Sequence, residues 1–184
     1  MDNGASSYRR FLDGDKDALI DIISDYRESL VLFLSNYITD FGLAEETAEE
    51  TFVKLYVDKP RFAGRCSFKT WLFTIGKNAA LDKLKQLAKH PAIPLDNFYD
   101  AADKENIERD YIRNEEKIQL LRALEKLKDD YRQVLYLVYF ENFSNTETAK
   151  IMGRSERQIR NILYRSKESL RKILEKEGFR YEEI

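Results

Sequence analysis

Arg157, Gln158, Arg160, Asn161, Arg165 and Lys167 fall on one side of a stretch near the C-terminal end of a 184-residue chain. Arg, Asn and Gln can make bidentate hydrogen bonds to guanine or adenine edges, and Arg and Lys also neutralise phosphate. On the opposite side Ile159, Leu163, Ser166, Leu170 and Ile173 recur at intervals of three and four, the spacing of a buried helical face. A helix with that back and that front suits a major groove. Just upstream, Ser144 and Glu147 have the Ser-x-x-Glu spacing of a capping box, which predicts a short helix starting at Asn145 or Thr146. Gly153 supplies the left-handed backbone that stops it, and Ser155 caps the next helix. This is helix-turn-helix spacing, with the small Ala149 where the two helices would cross. A solvated charged face on a helical hairpin has the same periodicity; the tight turn favours DNA reading.

A second group of residues lies between Lys59 and Lys89. There Lys59, Arg61, Arg65, Lys69, Lys77, Lys83, Lys85 and Lys89 face a single acid, Asp82, so the formal net charge of −2 conceals a local basic patch. Arg61, Phe62, Arg65, Ser67 and Phe68 form a loop before a helix beginning near Lys69, on which Lys69, Lys77 and Asn78 are expected to be exposed. Cations beside aromatic rings suit single-stranded nucleic acid, because phosphates need charge and unstacked bases need π surfaces. Core packing is the competing reading for Phe62 and Phe68, and for Trp71 and Phe73 it is the preferred one.

Glu45, Glu46, Glu49 and Glu50 crowd one face of a third stretch, opposite Ala48, Phe52, Leu55 and Tyr56. Paired carboxylates can do acid and base chemistry or hold a metal, but such a site needs convergence in a cleft and usually a histidine. With one histidine, His90, and one cysteine, Cys66, neither a Cys/His zinc site nor an internal disulfide is possible. A solvated face or a docking surface for a basic partner remains. No catalytic residue, metal or cofactor is expected.

The elements that must position these groups read as helices throughout. Only seven Gly and three Pro occur, charged residues make up 35% of the chain, and no alternating strand pattern is present. Two short helices are expected over residues 8–22, around the Asp13-Gly14-Asp15 break. A core helix follows from Asp25 to Thr39, ended by Phe41-Gly42-Leu43. His90-Pro91 and Ile93-Pro94 end the basic helix, and the acidic, polar residues 90–113 read as a linker between a domain at 1–89 and another at 114–184. In the latter, Ile118, Leu121, Leu124 and Leu127 and then Tyr131 to Phe140 supply the backing for the helix-turn-helix. The longest apolar runs are too short to span a bilayer and the N-terminus lacks the apolar segment of a signal peptide, so a cytoplasmic protein without membrane insertion is expected.

Three stretches together resemble the extracytoplasmic-function class of bacterial RNA polymerase sigma factors. AEETAEETFVKLY resembles the family's acidic helix that docks on the clamp helices of the polymerase largest subunit. FAGRCSFKTWLFTIGKNAALDKLK is similar to the loop and helix that melt and read the minus-ten promoter element. The stretch from Leu124 to Leu174 resembles the domain that reads the minus-thirty-five element. The resemblance implies an all-α protein of two small domains, a sigma-2-type bundle and a sigma-4-type helix-turn-helix. It also implies a non-enzymatic specificity subunit of core RNA polymerase.

By position, the resemblance assigns Glu46, Glu49, Glu50 and Phe52 to polymerase docking. Arg61, Phe62, Arg65, Ser67, Phe68, Lys69, Lys77 and Asn78 go to the minus-ten strand, and Arg157, Gln158, Arg160, Asn161, Arg165 and Lys167 to the minus-thirty-five duplex. Implied partners are core polymerase through its clamp helices and flap, promoter DNA, and an anti-sigma factor. Glu49 stands where the family often has Gln, and Thr148 where a buried Ile is usual, a change that costs about 1 kcal/mol if its hydroxyl is unsatisfied. The rival readings are a stand-alone dimeric helix-turn-helix regulator and a helical metal or hydrolase domain built on Glu45 to Glu50.

Overall fold

In the computed structural model residues 3–89, 120 and 122–177 are described. The helices are α1 (Asn3–Leu12), α2 (Asp17–Leu34), α3 (Phe41–Asp58), α4 (Phe68–Lys89), α5 (Asp129–Leu135), α6 (Asn145–Met152) and α7 (Glu156–Lys176). A single π-helical turn, Tyr136–Phe140, continues α5. No strand occurs among the described residues, and no helix there is long and apolar enough to cross a membrane.

The first four helices form a bundle in which α2 packs on α1, α3 and α4. Leu30, Phe33, Leu34, Leu55, Leu72 and Phe73 are fully buried at its centre, which removes enough apolar surface from water to hold helices whose own propensities are ordinary. Tyr8, Phe62, Phe68 and Trp71 form an aromatic cluster with ring centroids 5.2–5.7 Å apart. The Tyr8 hydroxyl donates to the Pro60 carbonyl at 2.8 Å, and burial pushes its pKa up to about 12. The cluster pins the basic loop to α1.

Helix boundaries in the N-terminal third differ from the sequence expectation. Asp15 takes up the chain break: its carboxylate accepts from the Asp17 and Ala18 N–H groups at 3.1 and 3.4 Å. One continuous helix then runs from Asp17 to Leu34, not a short helix followed by another from Asp25 to Thr39. Phe41-Gly42-Leu43 starts α3 instead of ending α2, because the Asp40 side chain caps it by accepting from the Leu43 N–H at 2.8 Å.

In the C-terminal part α5 and α6 pack on α7 around Val134, Ala149 and Ile159. This unit does not stand apart. Leu137, Phe143 and Ile151 enter the same apolar core as Phe73 and Leu72, and α6 lies against α4. The Phe143 and Phe73 rings meet edge to face at 5.2 Å. The Asn36 carbonyl, just past α2, accepts from Arg132 at 3.4 Å and Gln133 at 3.3 Å. The expected linker, 90–113, lies outside the described residues, as does the start of the helix expected from Glu115; of that helix Ala123 and Leu127 are seen to be buried.

Candidate nucleic-acid interface

Helices α6 and α7 form the turn that their capping residues dictate. Ser144 accepts from the Glu147 N–H while Glu147 reaches back to the Ser144 N–H, and Ser155 and Gln158 repeat the arrangement at the start of α7. Gly153, at φ +66°, takes the left-handed step between them. Ile159 and Ser166 are buried, and the Ser166 hydroxyl donates to the Leu163 carbonyl at 2.8 Å. Arg157, Gln158, Arg160, Asn161, Arg165 and Lys167 are all exposed. Two of them are engaged within the helix: Gln158 accepts from the Ser155 N–H at 2.8 Å, and Arg160 pairs with Glu156 at 2.7 Å. Tyr164, 69% exposed, lies on the same face one turn beyond Arg160 and Asn161, and the reading of the sequence overlooked it. The signal was available, since position 164 follows 157, 160 and 161 at helical spacing.

The basic loop and α4 present fewer free groups than expected. Arg61, Arg65 and Asn78 are exposed and Phe62 is half-buried, but Phe68 is fully buried in the aromatic cluster. Phe68 therefore holds the loop in place, and the expectation that it meets a base is corrected. Ser67 caps α4, accepting from the Thr70 N–H at 3.2 Å. Both hydroxyls, Ser67 at 3.0 Å and Thr70 at 2.9 Å, donate to one oxygen of Glu147 on α6. Burial raises the Glu147 pKa, but the bonds from the Ser144 backbone and hydroxyl, Thr70 and Ser67 outweigh it and leave the carboxyl below its ordinary value.

Lys69 also faces the C-terminal unit. Its ammonium pairs with the Glu141 carboxylate at 2.7 Å, donates to the Glu141 carbonyl at 3.2 Å and lies 5.0 Å from the Phe143 ring centroid. Lys77 is half-buried, and burial lowers its pKa. Lys150 of α6 donates to the Arg65 carbonyl at 2.9 Å.

On α3, Glu46, Glu49 and Glu50 are exposed, as expected of a docking face. Phe52 is not: at 4% exposure it belongs to the core, so its assignment to docking is corrected. The acids have partners within the bundle. Lys83 pairs with Glu46 at 3.1 Å and Glu50 at 2.8 Å, and Arg27 with Glu45 at 3.1 Å and Glu49 at 3.3 Å. Hydrogen bonds to Glu50 and Glu46 raise the Lys83 pKa. Val53 and Val57 prolong the Glu46–Glu50 stripe and are 58% and 66% exposed, apolar surface that the sequence reading had not assigned. Among the described residues no group of three or more His, Cys, Asp or Glu side chains could hold a metal ion.

The family model for Sigma-70 region 2 matches residues 22–90, and that for Sigma-70, region 4 matches residues 117–170. Together they take in well over half of the chain. The chain belongs to the sigma-70 family. Its relatives place it in the extracytoplasmic-function class. SigW, an ECF RNA polymerase sigma factor of Bacillus subtilis, is 28% identical over 172 residues, covering 88% of this chain and 91% of that protein. CarQ, an RNA polymerase sigma factor of Myxococcus xanthus, is 29% identical over 165 residues, covering 90% and 94%. Two solved structures share the fold. One is the sigma factor RpoE in complex with the anti-sigma factor NepR from Bartonella quintana, with a TM-score of 0.63, 19% identity and coverage of 84% and 95%. The other is CnrH in complex with the cytosolic domain of CnrY, with a TM-score of 0.62, 20% identity and coverage of 94% and 95%.

As a sigma factor, the protein directs RNA polymerase to promoters for initiation of transcription. A stand-alone dimeric regulator is not favoured, because such a protein has no use for the region 2 half of the chain. On the sigma factor, α6, which precedes the minus-thirty-five candidates of α7, packs on α4, where Ser67 and Lys69 of the minus-ten candidates bond to Glu147 and Glu141.

Proposed function

We propose that this sigma factor is a dissociable, non-catalytic specificity subunit acting in the cytoplasm. Residues 1–89 dock on core polymerase and read the minus-ten element, 90–113 connect, and 114–184 read the minus-thirty-five element. Glu46, Glu49 and Glu50, with Val53 and Val57 beside them, meet the clamp helices of the largest subunit. An acid stripe already shared with Arg27 and Lys83 contributes selectivity there, while the exposed valines contribute burial. Arg61, Phe62, Arg65, Ser67, Lys69, Lys77 and Asn78 hold the minus-ten strand, and capture of an unstacked base there makes melting selective for sequence.

The observation that carries the reading is the front of α7, where Arg157, Arg160, Asn161, Tyr164 and Arg165 stand exposed over a buried back. An apolar groove of about 400 Å³ between Leu124, Tyr139, Phe140 and Leu170 supports contact of the second unit with the polymerase flap. The solved relatives in complex with NepR and CnrY support an anti-sigma factor as the third partner.

Transcription by purified core polymerase on fragmented genomic DNA, with start sites mapped, tests the reading. Added protein should create a discrete set of starts, and no new start at any promoter would refute it. Arg160→Ala should lower transcription from those promoters about tenfold, the loss of one bidentate base contact, with core affinity unchanged. Loss of core binding in that variant would overturn the division of labour.

A further inference from the structure

We propose that Tyr8 of α1 is a positioning residue for base capture: its hydroxyl fixes the entry of the loop 61–67 and so sets how well that loop tells one minus-ten base from another. The inference rests on the reading of this loop as the minus-ten reader. Among the described residues no backbone–backbone hydrogen bond falls between Pro60 and Cys66, so the loop takes its shape from what holds its ends. Its exit is set by Ser67, which caps α4, and by the fully buried Phe68. At its entry Lys59 steps through the left-handed region at φ +45°, and Pro60 follows with the narrow range of φ that its ring allows. The Pro60 carbonyl then accepts from the Tyr8 hydroxyl at 2.8 Å, across 52 residues of sequence.

Tyr8 is 1% exposed, and its ring meets those of Phe68 at 5.5 Å and Trp71 at 5.2 Å. One turn earlier on α1, Gly4 lets the helix backbone sit directly on Phe68: an added Cβ would strike that ring and lie 2.7 Å from the Tyr26 hydroxyl oxygen. Three residues after Tyr8, Phe11 is buried, and the Lys59 ammonium lies 5.4 Å from its ring centroid. Positions 4, 8 and 11 share one side of a helix, so a single face of α1 holds both residues that lead into the loop. Burial pushes the Tyr8 pKa up to about 12, which keeps the hydroxyl a donor throughout the neutral range. Phe62, two residues past Pro60 and half-buried, stands 5.2 Å from Trp71 and 5.7 Å from Phe68, the same rings that seat Tyr8. A phenylalanine at position 8 would fill the core equally well. The hydroxyl serves the Pro60 carbonyl, and through it the loop.

Tyr8→Phe, assembled with core polymerase, tests this on a promoter identified by start-site mapping and on versions of it carrying single substitutions across the minus-ten and minus-thirty-five elements. The readout is the ratio of initiation from the natural promoter to initiation from each substituted one. A residue that merely stabilises the fold changes the amount of active protein equally for every template and leaves these ratios alone. With Tyr8→Phe the largest minus-ten ratio should fall about tenfold, less than the roughly hundredfold that a 1 Å misplacement can cost. The minus-thirty-five ratios and core affinity should keep their wild-type values. Unchanged minus-ten ratios in a folded variant overturn the role of Tyr8, and so do equal falls at both elements. Arg61→Ala separates this outcome from failure of the reading beneath it. If Arg61→Ala lowers the minus-ten ratios and Tyr8→Phe does not, only Tyr8 loses its role; if neither lowers them, the loop is no reader and both proposals fall. Should Tyr8→Phe lose its helical circular dichroism, Pro60→Ala carries the same measurements, because it keeps the carbonyl and its donor but frees φ at the loop entry. A fall confined to the minus-ten ratios then supports the anchored entry, and unchanged ratios overturn it.

Discussion

Thr148 is fully buried in α6, and its hydroxyl has no hydrogen-bond partner. A buried hydroxyl stripped of water costs on the order of 1–3 kcal/mol. Thr148→Val keeps the shape and removes the penalty, so it should stabilise the protein by about 1 kcal/mol in urea denaturation. Glu147 is the opposite case, a carboxylate held below its ordinary pKa of 4.5 by hydrogen bonds. A depressed carboxyl stabilises the fold fully above the unfolded value and loses that contribution as pH falls through the folded one. The stability difference between wild type and Glu147→Gln, measured by denaturation from neutral pH downward, should therefore be constant above 4.5 and shrink below it. A difference that widened on acidification would contradict the bonding described for this carboxylate.

At the scale of elements, the turn between α6 and α7 depends on one backbone conformation. Gly153 sits at φ +66°, and the Arg154 N–H behind it reaches the Ala149 carbonyl at 3.0 Å. An added methyl group would make only ordinary contact with Lys77, so the cost of Gly153→Ala is backbone strain, roughly 1–2 kcal/mol. Thermal denaturation should register it, and promoter selection at permissive temperature should survive. A loss of selection without a loss of stability would mean that the turn itself contacts DNA. In α3 and α4, the Lys83 pairs with Glu46 and Glu50 join two helices at the surface. Pairs of this exposure are worth little to stability, so these acids remain available to a basic partner.

At the scale of the whole molecule, one apolar core draws on both units. Ile151 of α6 is fully buried in it, although Trp71, the sole tryptophan, belongs to the N-terminal bundle. Unfolding followed by Trp71 fluorescence and by circular dichroism should coincide as one transition. Ile151→Ala should destabilise it by about 2–4 kcal/mol, the range for truncating a buried aliphatic side chain. If Trp71 fluorescence ignored that substitution, the two units would be folding independently.

The local signals were legible in the chain. Ser144, Glu147, Gly153, Ser155 and Gln158 act over three or four residues, so they predict the helix-turn-helix without knowledge of anything else. The alternation of buried Ile159 and Ser166 with exposed Arg157, Arg160 and Asn161 is equally local. The N-terminal boundaries were misread where a capping carboxylate, Asp15 or Asp40, turned an apparent break into a helix start. What tertiary structure alone decided is the destination of side chains with two plausible uses. Phe52 and Phe68 went to the core, and Glu147, legible only as a capping residue, crossed 80 residues of sequence to Ser67 and 77 to Thr70. Periodicity reports which face of a helix is apolar, whereas a contact at such separation depends on how two folded units pack, and no local rule contains it.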